Sequence, residues 1–114
     1  MADKPETTFR KRVIPSLKTL PNTVIFPIQQ VSISGTPDLL LCINGHFVAL
    51  EFKKDAKARV TELQKYNLNR IIKAGGFSFV VFPENWQDVL NKLKHLSEED
   101  YGETNVRRVQ KSAV

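Results

Sequence analysis

The apolar positions Phe9, Val13, Leu17 and Leu20 recur at helical spacing, which predicts an amphipathic helix near the N-terminus. Asp3 and Glu6 stand at capping-box spacing ahead of it, with Asp in place of the usual Ser or Thr, and Pro5 falls in the first turn, where proline is tolerated. Pro15 interrupts the pattern and predicts a kink or a split, because an internal proline removes one hydrogen bond and crowds the preceding turn. Pro21 ends the helix. Residues 23–33 are rich in β-branched side chains but contain Pro27, the mark of an edge or irregular strand. Residues 36–43 and 46–53 are two extended runs on either side of Asn44-Gly45, a pair suited to a tight hairpin turn because both turn residues must take positive φ. A helix is predicted over 58–74, with Val60, Leu63, Leu68, Ile71 and Ile72 on one face and Gly75-Gly76 as its stop. Residues 77–82 form a continuous apolar run, as in a strand covered on both faces. A last helix is predicted over 84–96, carrying Trp86, Val89, Leu90, Leu93 and Leu96. The order α-β-β-β-α-β-α predicts an α/β fold with a mixed sheet flanked by helices, as one domain over 1–96 with a loosely ordered tail over 97–114.

Composition narrows the class. With 114 residues, 41% hydrophobic and 25% charged, the chain suits one folded domain rather than a disordered segment. No apolar run approaches the ~20 residues that span a bilayer, and no charged-then-apolar leader is present, so a soluble, cytoplasmic protein without a membrane partner is expected. Cys42 is the single cysteine and His46 and His95 the two histidines, which argues against a disulfide framework or a thiolate zinc site. Cys42 reads as a core residue, and neither histidine has a sequence partner that suggests acid/base work. Phe77, Phe79, Phe82 and Trp86 read as core rather than as base-stacking platforms. There is no nucleophile elbow or Walker lysine, and no sign of an organic cofactor.

The formal charge is +5, and the excess lies before residue 97, since the tail holds more acids than bases. Bases cluster at Arg10, Lys11 and Arg12 and again at Lys53, Lys54, Lys57, Arg59, Lys65, Arg70 and Lys73, a distribution that suits either a solvated face or contact with nucleic-acid phosphates.

The hairpin carries the sharper signal. With Asn44-Gly45 as a two-residue loop, Ile43 opposes His46, and counting outward brings Asp38 opposite Glu51 on one face of the ladder. Period-two alternation puts Lys53 on that face as well, while Leu39, Leu41, Val48, Leu50 and Phe52 take the other. Two carboxylates opposed at ~5 Å repel by about 3 kcal/mol at an effective dielectric near 20, a cost that a divalent cation between them would reverse. Oxygen-only ligation suits Mg2+, with Mn2+ as a substitute. Lys53 could orient a water or stabilise charge on a phosphate. The bland alternative is turn chemistry at Asp38 and a solvent-facing strand for Glu51 and Lys53.

Gly35-Thr36-Pro37-Asp38 followed by Glu51-Phe52-Lys53 resembles the core motif of the PD-(D/E)xK nucleases, and more narrowly the small stand-alone VRR-NUC domains found in phages and fused to repair nucleases. The resemblance spans about residues 6–82 and implies a restriction-endonuclease-like fold. It implies Asp38 and Glu51 as metal ligands with the backbone carbonyl of Phe52, Lys53 as the catalytic lysine, Gln64 as the helical glutamine, and Glu6 as an acid reaching the metal directly or through water. Gln64 also reads as a boundary residue bonded to a strand end, and Glu6 as a simple capping residue. The implied activity is Mg2+-dependent, structure-selective endonucleolytic cleavage of DNA, with Holliday-junction resolution by a homodimer in the host-cell cytoplasm as the leading expectation. Arg10, Lys11, Arg12, Lys54, Lys57, Arg59 and Lys65 would contact flanking phosphates. A monomeric nicking or flap nuclease sharing the site, or a non-catalytic nucleic-acid-binding module, are the alternatives.

Overall fold

The computed structural model describes residues 4–28 and 35–99. The elements run α1 (Pro5–Lys18), β1 (Thr23–Pro27), β2 (Leu39–Ile43), β3 (His46–Phe52), α2 (Glu62–Lys73), β4 (Phe77–Val81) and α3 (Trp86–Glu98), in the predicted α-β-β-β-α-β-α order. The four strands form one mixed sheet in the order β1-β2-β3-β4. The first three pair antiparallel, and β4 joins β3 in parallel after the α2 crossover.

The core lies between one sheet face and the pair α1 and α3. Leu39, Leu41 and Ile43 of β2 and Val48, Leu50 and Phe52 of β3 bury against Phe9, Val13 and Leu17 of α1 and Val89, Leu90, Leu93 and Leu96 of α3. Phe9 meets Phe52 and Trp86 edge-on, at centroid distances of 5.8 and 6.4 Å. α2 packs on the opposite face beside β4, where the Ser78 hydroxyl donates to the Leu68 carbonyl at 2.9 Å.

The predicted turn forms: Asn44 and Gly45 take φ of 50° and 86°. Leu39 pairs with Leu50 and Ile43 with His46, so the register is the one the turn dictates. The turn also holds the end of α3, because Asn44 Nδ2 donates to the carbonyls of Leu96 and Glu99 at 3.1 and 2.8 Å. Asn22 does the same for Ser97, and Ser97 is fully buried, so the ordered domain continues past residue 96 to at least Glu99. Residues 100–114 of the expected tail lie outside the described residues, as does Asp3 of the expected capping box.

Several expectations are corrected. α1 runs through Pro15 without splitting, because Pro15 sits on the exposed side while Val13 and Leu17 anchor the helix to the core on either side of it. α2 starts at Glu62, not at residue 58. Thr61 caps it, with its hydroxyl accepting from the Gln64 amide, which leaves Val60 outside the helix. Its apolar stripe is only partly covered: Leu68 is buried, whereas Leu63 and Ile72 are exposed. β4 is an edge strand and mostly half-buried rather than enclosed. Cys42 pairs with Phe47 as the register requires, but both are exposed, since α2 covers the β4 side of that face and leaves the β1 and β2 side open. β1 ends at Pro27, as an edge strand, and residues 29–34 lie outside the described residues.

Candidate active site

Where β2 begins and β3 ends, the chain encloses a polar cavity of about 250 Å3. Asp38, Glu51, Phe52 and Lys53 line it from the sheet, Gln64 from α2, and Glu6, Thr7 and Arg10 from α1. All the residues proposed above for chemistry thus meet at one place. Larger apolar grooves lie beside α2 and α3, but they contain no converging acids.

Asp38 is fixed by backbone at both ends. Its carbonyl accepts from Ile28 N–H at 3.0 Å and its Oδ2 accepts from Phe52 N–H at 2.8 Å. The preceding loop is held by Gly35, at φ 80°, whose carbonyl accepts from Asn67 Nδ2 at 3.1 Å, and a Cβ on Gly35 would collide with Leu63 of α2. Only glycine lets the loop lie this close to the helix.

Glu51 sits one pair beyond the last partners of the β2–β3 ladder, pairs with Val80 of β4, and is 4% exposed. Gln64 Nε2 donates to its Oε2 at 3.0 Å, and the Lys53 ammonium lies 3.6 Å from the same oxygen. Lys53 Nζ donates to Gln64 Oε1 at 3.1 Å, and that oxygen also accepts from Thr61 N–H at 2.9 Å. The amide of Gln64 can face only this way: its oxygen receives two donors and its nitrogen meets a carboxylate. Gln64 therefore closes the capping box of α2 and ties Lys53 to Glu51 with one side chain. The sequence suggests a bond to a strand end as the plain role for this residue; the structure gives it the helix cap at Thr61 together with contacts to Glu51 and Lys53.

The Glu51 carboxyl is pushed from its ordinary 4.5 up to about 7, first by burial and then by the negative charge of Asp38, with the Lys53 ammonium pulling partly the other way. Burying two acids side by side is unfavourable while nothing stands between them. A hard divalent cation fits the pair. Mg2+ is commonly held by one or two carboxylates and keeps several waters, and no histidine or cysteine lines the cavity to favour a softer metal. Among the described residues no three His, Cys, Asp or Glu side chains form a metal-holding group, and Glu6 lines the same cavity as Asp38 and Glu51.

The bases divide into two groups. Arg10 turns into the cavity, with Nη1 3.7 Å from Asp38 Oδ1. Arg12 lies over the Phe9 ring at 5.4 Å, and it and Lys11 are on the exposed side of α1. Lys54, Lys57 and Arg59 lie on the segment between β3 and α2, which Glu84 pins by accepting from Ala56 N–H at 3.3 Å. Lys65 is exposed on α2 and pairs with Glu62 at 3.4 Å. His46, which the sequence left without a partner, bonds Glu99 at 3.0 Å and helps hold the end of α3.

Sequence reasoning missed Thr61, Thr7 and the inward turn of Arg10. Thr61 and Gln64 have capping-box spacing and could have been read. Arg10 follows Glu6 by four residues and so shares its helix face, another legible signal.

Comparison with family models, with curated proteins and with solved structures returns no match, so the functional reading rests on the site. No helix among the described residues is long and apolar enough to cross a membrane.

Proposed function

We propose that this chain is a Mg2+-dependent, structure-selective DNA endonuclease that hydrolyses phosphodiester bonds. The observation that carries the reading is the convergence of Asp38, just before β2, and Glu51, in β3, on one polar cavity beside Lys53 and Gln64. The resemblance of Gly35-Thr36-Pro37-Asp38 and Glu51-Phe52-Lys53 to VRR-NUC domains points the same way.

Asp38, Glu51 and the Phe52 carbonyl would hold the ion, with Glu6 acting through water. Bound there, Mg2+ would polarise a phosphate oxygen and acidify a water. Lys53 offers its ammonium hydrogens to a phosphate oxygen or to the attacking water, and Gln64 keeps that ammonium aimed into the cavity. The burial of Glu51 and Lys53 lowers the local dielectric and so strengthens each of these interactions. Lys11, Arg12, Lys54, Lys57, Arg59 and Lys65 would neutralise flanking phosphates, making binding salt-sensitive and largely independent of sequence.

Within this class, Holliday-junction resolution is the reading we favour, in the cytoplasm of the cell that makes the protein. Paired incision across a four-way junction needs two active sites, and hence a homodimer. The test incubates labelled junction, flap, nicked and linear DNA with the protein and Mg2+, beside Lys53→Ala. Paired junction cuts, absent in the variant, are expected. Cuts in flap or linear DNA alone would remove the resolvase reading, and absence of cutting would remove the nuclease. Asp38→Asn should also abolish thermal stabilisation by Mn2+, which a non-catalytic binding module would never have displayed.

A further inference from the structure

We infer that Arg10 is a mobile cation of the active site: it rests on Asp38 while no divalent ion is bound, and moves onto the substrate phosphate when one is. The inference deepens the nuclease reading and rests on it. Sequence position alone groups Arg10 with Lys11 and Arg12 as a contact to flanking phosphates. The structure separates it from them, because Arg10 lines the cavity while Arg12 lies over Phe9.

The resting state follows from the hydrogen bonds. Asp38 Oδ2 accepts from Phe52 N–H at 2.8 Å, and Arg10 Nη1 stands 3.7 Å from the other oxygen, Oδ1, so the guanidinium occupies one approach to the carboxylate. Glu51 already has Lys53 at 3.6 Å. Each acid is thus attended by its own base, but the two attachments differ. Lys53 is held by Gln64 and its side chain is 12% exposed, whereas Arg10 makes a long contact and is 36% exposed. A contact of that length and exposure is weak and readily exchanged.

A divalent ion on Asp38 and Glu51 would repel the nearby guanidinium. Arg10 projects from α1 one turn beyond Glu6 and lines the cavity with it and Thr7, and its side chain is 36% exposed, so it can leave Asp38 and still face the cavity. Its planar fork of donors suits two oxygens of one phosphate. In hydrolysis the water oxygen forms a new P–O bond, the P–O bond to one sugar breaks, the leaving oxygen takes up a proton and the water releases one to solvent. Charge gathers on the phosphoryl oxygens as this proceeds, and that is the charge Arg10 would meet.

Two readouts test this on the full chain. In calorimetric titration with Mn2+ and no DNA, Arg10→Ala should bind the ion about three- to tenfold more tightly than wild type, because a competing cation is gone. At saturating Mg2+ and DNA, the same variant should lose about a hundredfold or more in kcat, with Arg10→Lys intermediate. Unchanged Mn2+ affinity would overturn the resting contact. A variant that raises KM alone would return Arg10 to the flanking-phosphate group. Lys53→Ala is run alongside: if wild type cuts no DNA at all, the nuclease reading fails, while the Mn2+ titration still judges the competition between Arg10 and the ion.

Discussion

Replacing Glu51 by glutamine should stabilise the metal-free protein at neutral and alkaline pH, although it alters a buried residue in the middle of a hydrogen-bonded site. The introduced carboxamide keeps an oxygen for the Gln64 amide and gains hydrogens to offer Asp38, so the network survives the change. What disappears is the ionisation. The carboxyl titrates at about 7 in the folded chain against an ordinary 4.5, so the folded state holds the proton more tightly than the unfolded one. Stability from this group is therefore fully present below pH 4.5 and is lost as pH rises through about 7. The loss amounts to about 3 kcal/mol for the ionised wild type, which corresponds to roughly 10 °C in melting temperature for a domain this small. Thermal melts of wild type and Glu51→Gln in EDTA, from pH 4.5 to pH 8.5, should coincide at the acid end and separate above neutrality, with the variant melting higher. Added Mg2+ should narrow the gap by stabilising only the wild type. A variant that melts lower by the same margin at every pH would refute the account, since packing loss carries no proton dependence.

Other consequences are measured as simply. Gln64→Ala removes the reciprocal cap of α2 as well as the link between Lys53 and Glu51, and should cost about 1–2 kcal/mol in urea melts while also lowering cleavage. Gly45→Ala puts a side chain at φ 86° and should cost about 1–2 kcal/mol, with no change in Mn2+ affinity once the protein is folded. DNA affinity should fall linearly in a log–log plot against salt, and Lys57→Ala should reduce that slope by about one while leaving structure preference unchanged.

How much could be read beforehand depended on whether short-range rules decided the outcome. The hairpin register was legible because Asn44-Gly45 admits one turn geometry, and that register carries Asp38 and Glu51 with it. The order of elements followed from the same kind of local signal. The exposure of Cys42 was not legible, because β2 is apolar on both faces and strand alternation does not say which stretch of a face a helix will cover. Helical spacing alone carries α2 back to Val60, yet the Thr61 side chain bonds the backbone first and fixes the start. Pro15 reads as a breaker from sequence alone, but tertiary burial of Val13 and Leu17 outweighs one lost hydrogen bond on an exposed side. Sequence neighbours group Arg10 with Lys11 and Arg12, whereas its helix face is shared with Glu6, and the cavity it enters exists only once α1 meets the sheet.

Surface loops usually tolerate insertions, and the tip of a hairpin is a common place for them. Here that tolerance should be missing. Asn44 and Gly45 lie at the far end of the β2–β3 ladder from the carboxylates, about 20 Å away at the usual rise per strand residue. One additional residue at the tip would shift β3 by a position, turning Glu51 toward α1 and α3 while Asp38 stayed where it is, and it would release the helix end that Asn44 holds. A two-residue bend remote from any chemistry thus acts as the gauge that keeps the acids together, and drift in its length would disarm the protein as surely as losing either acid.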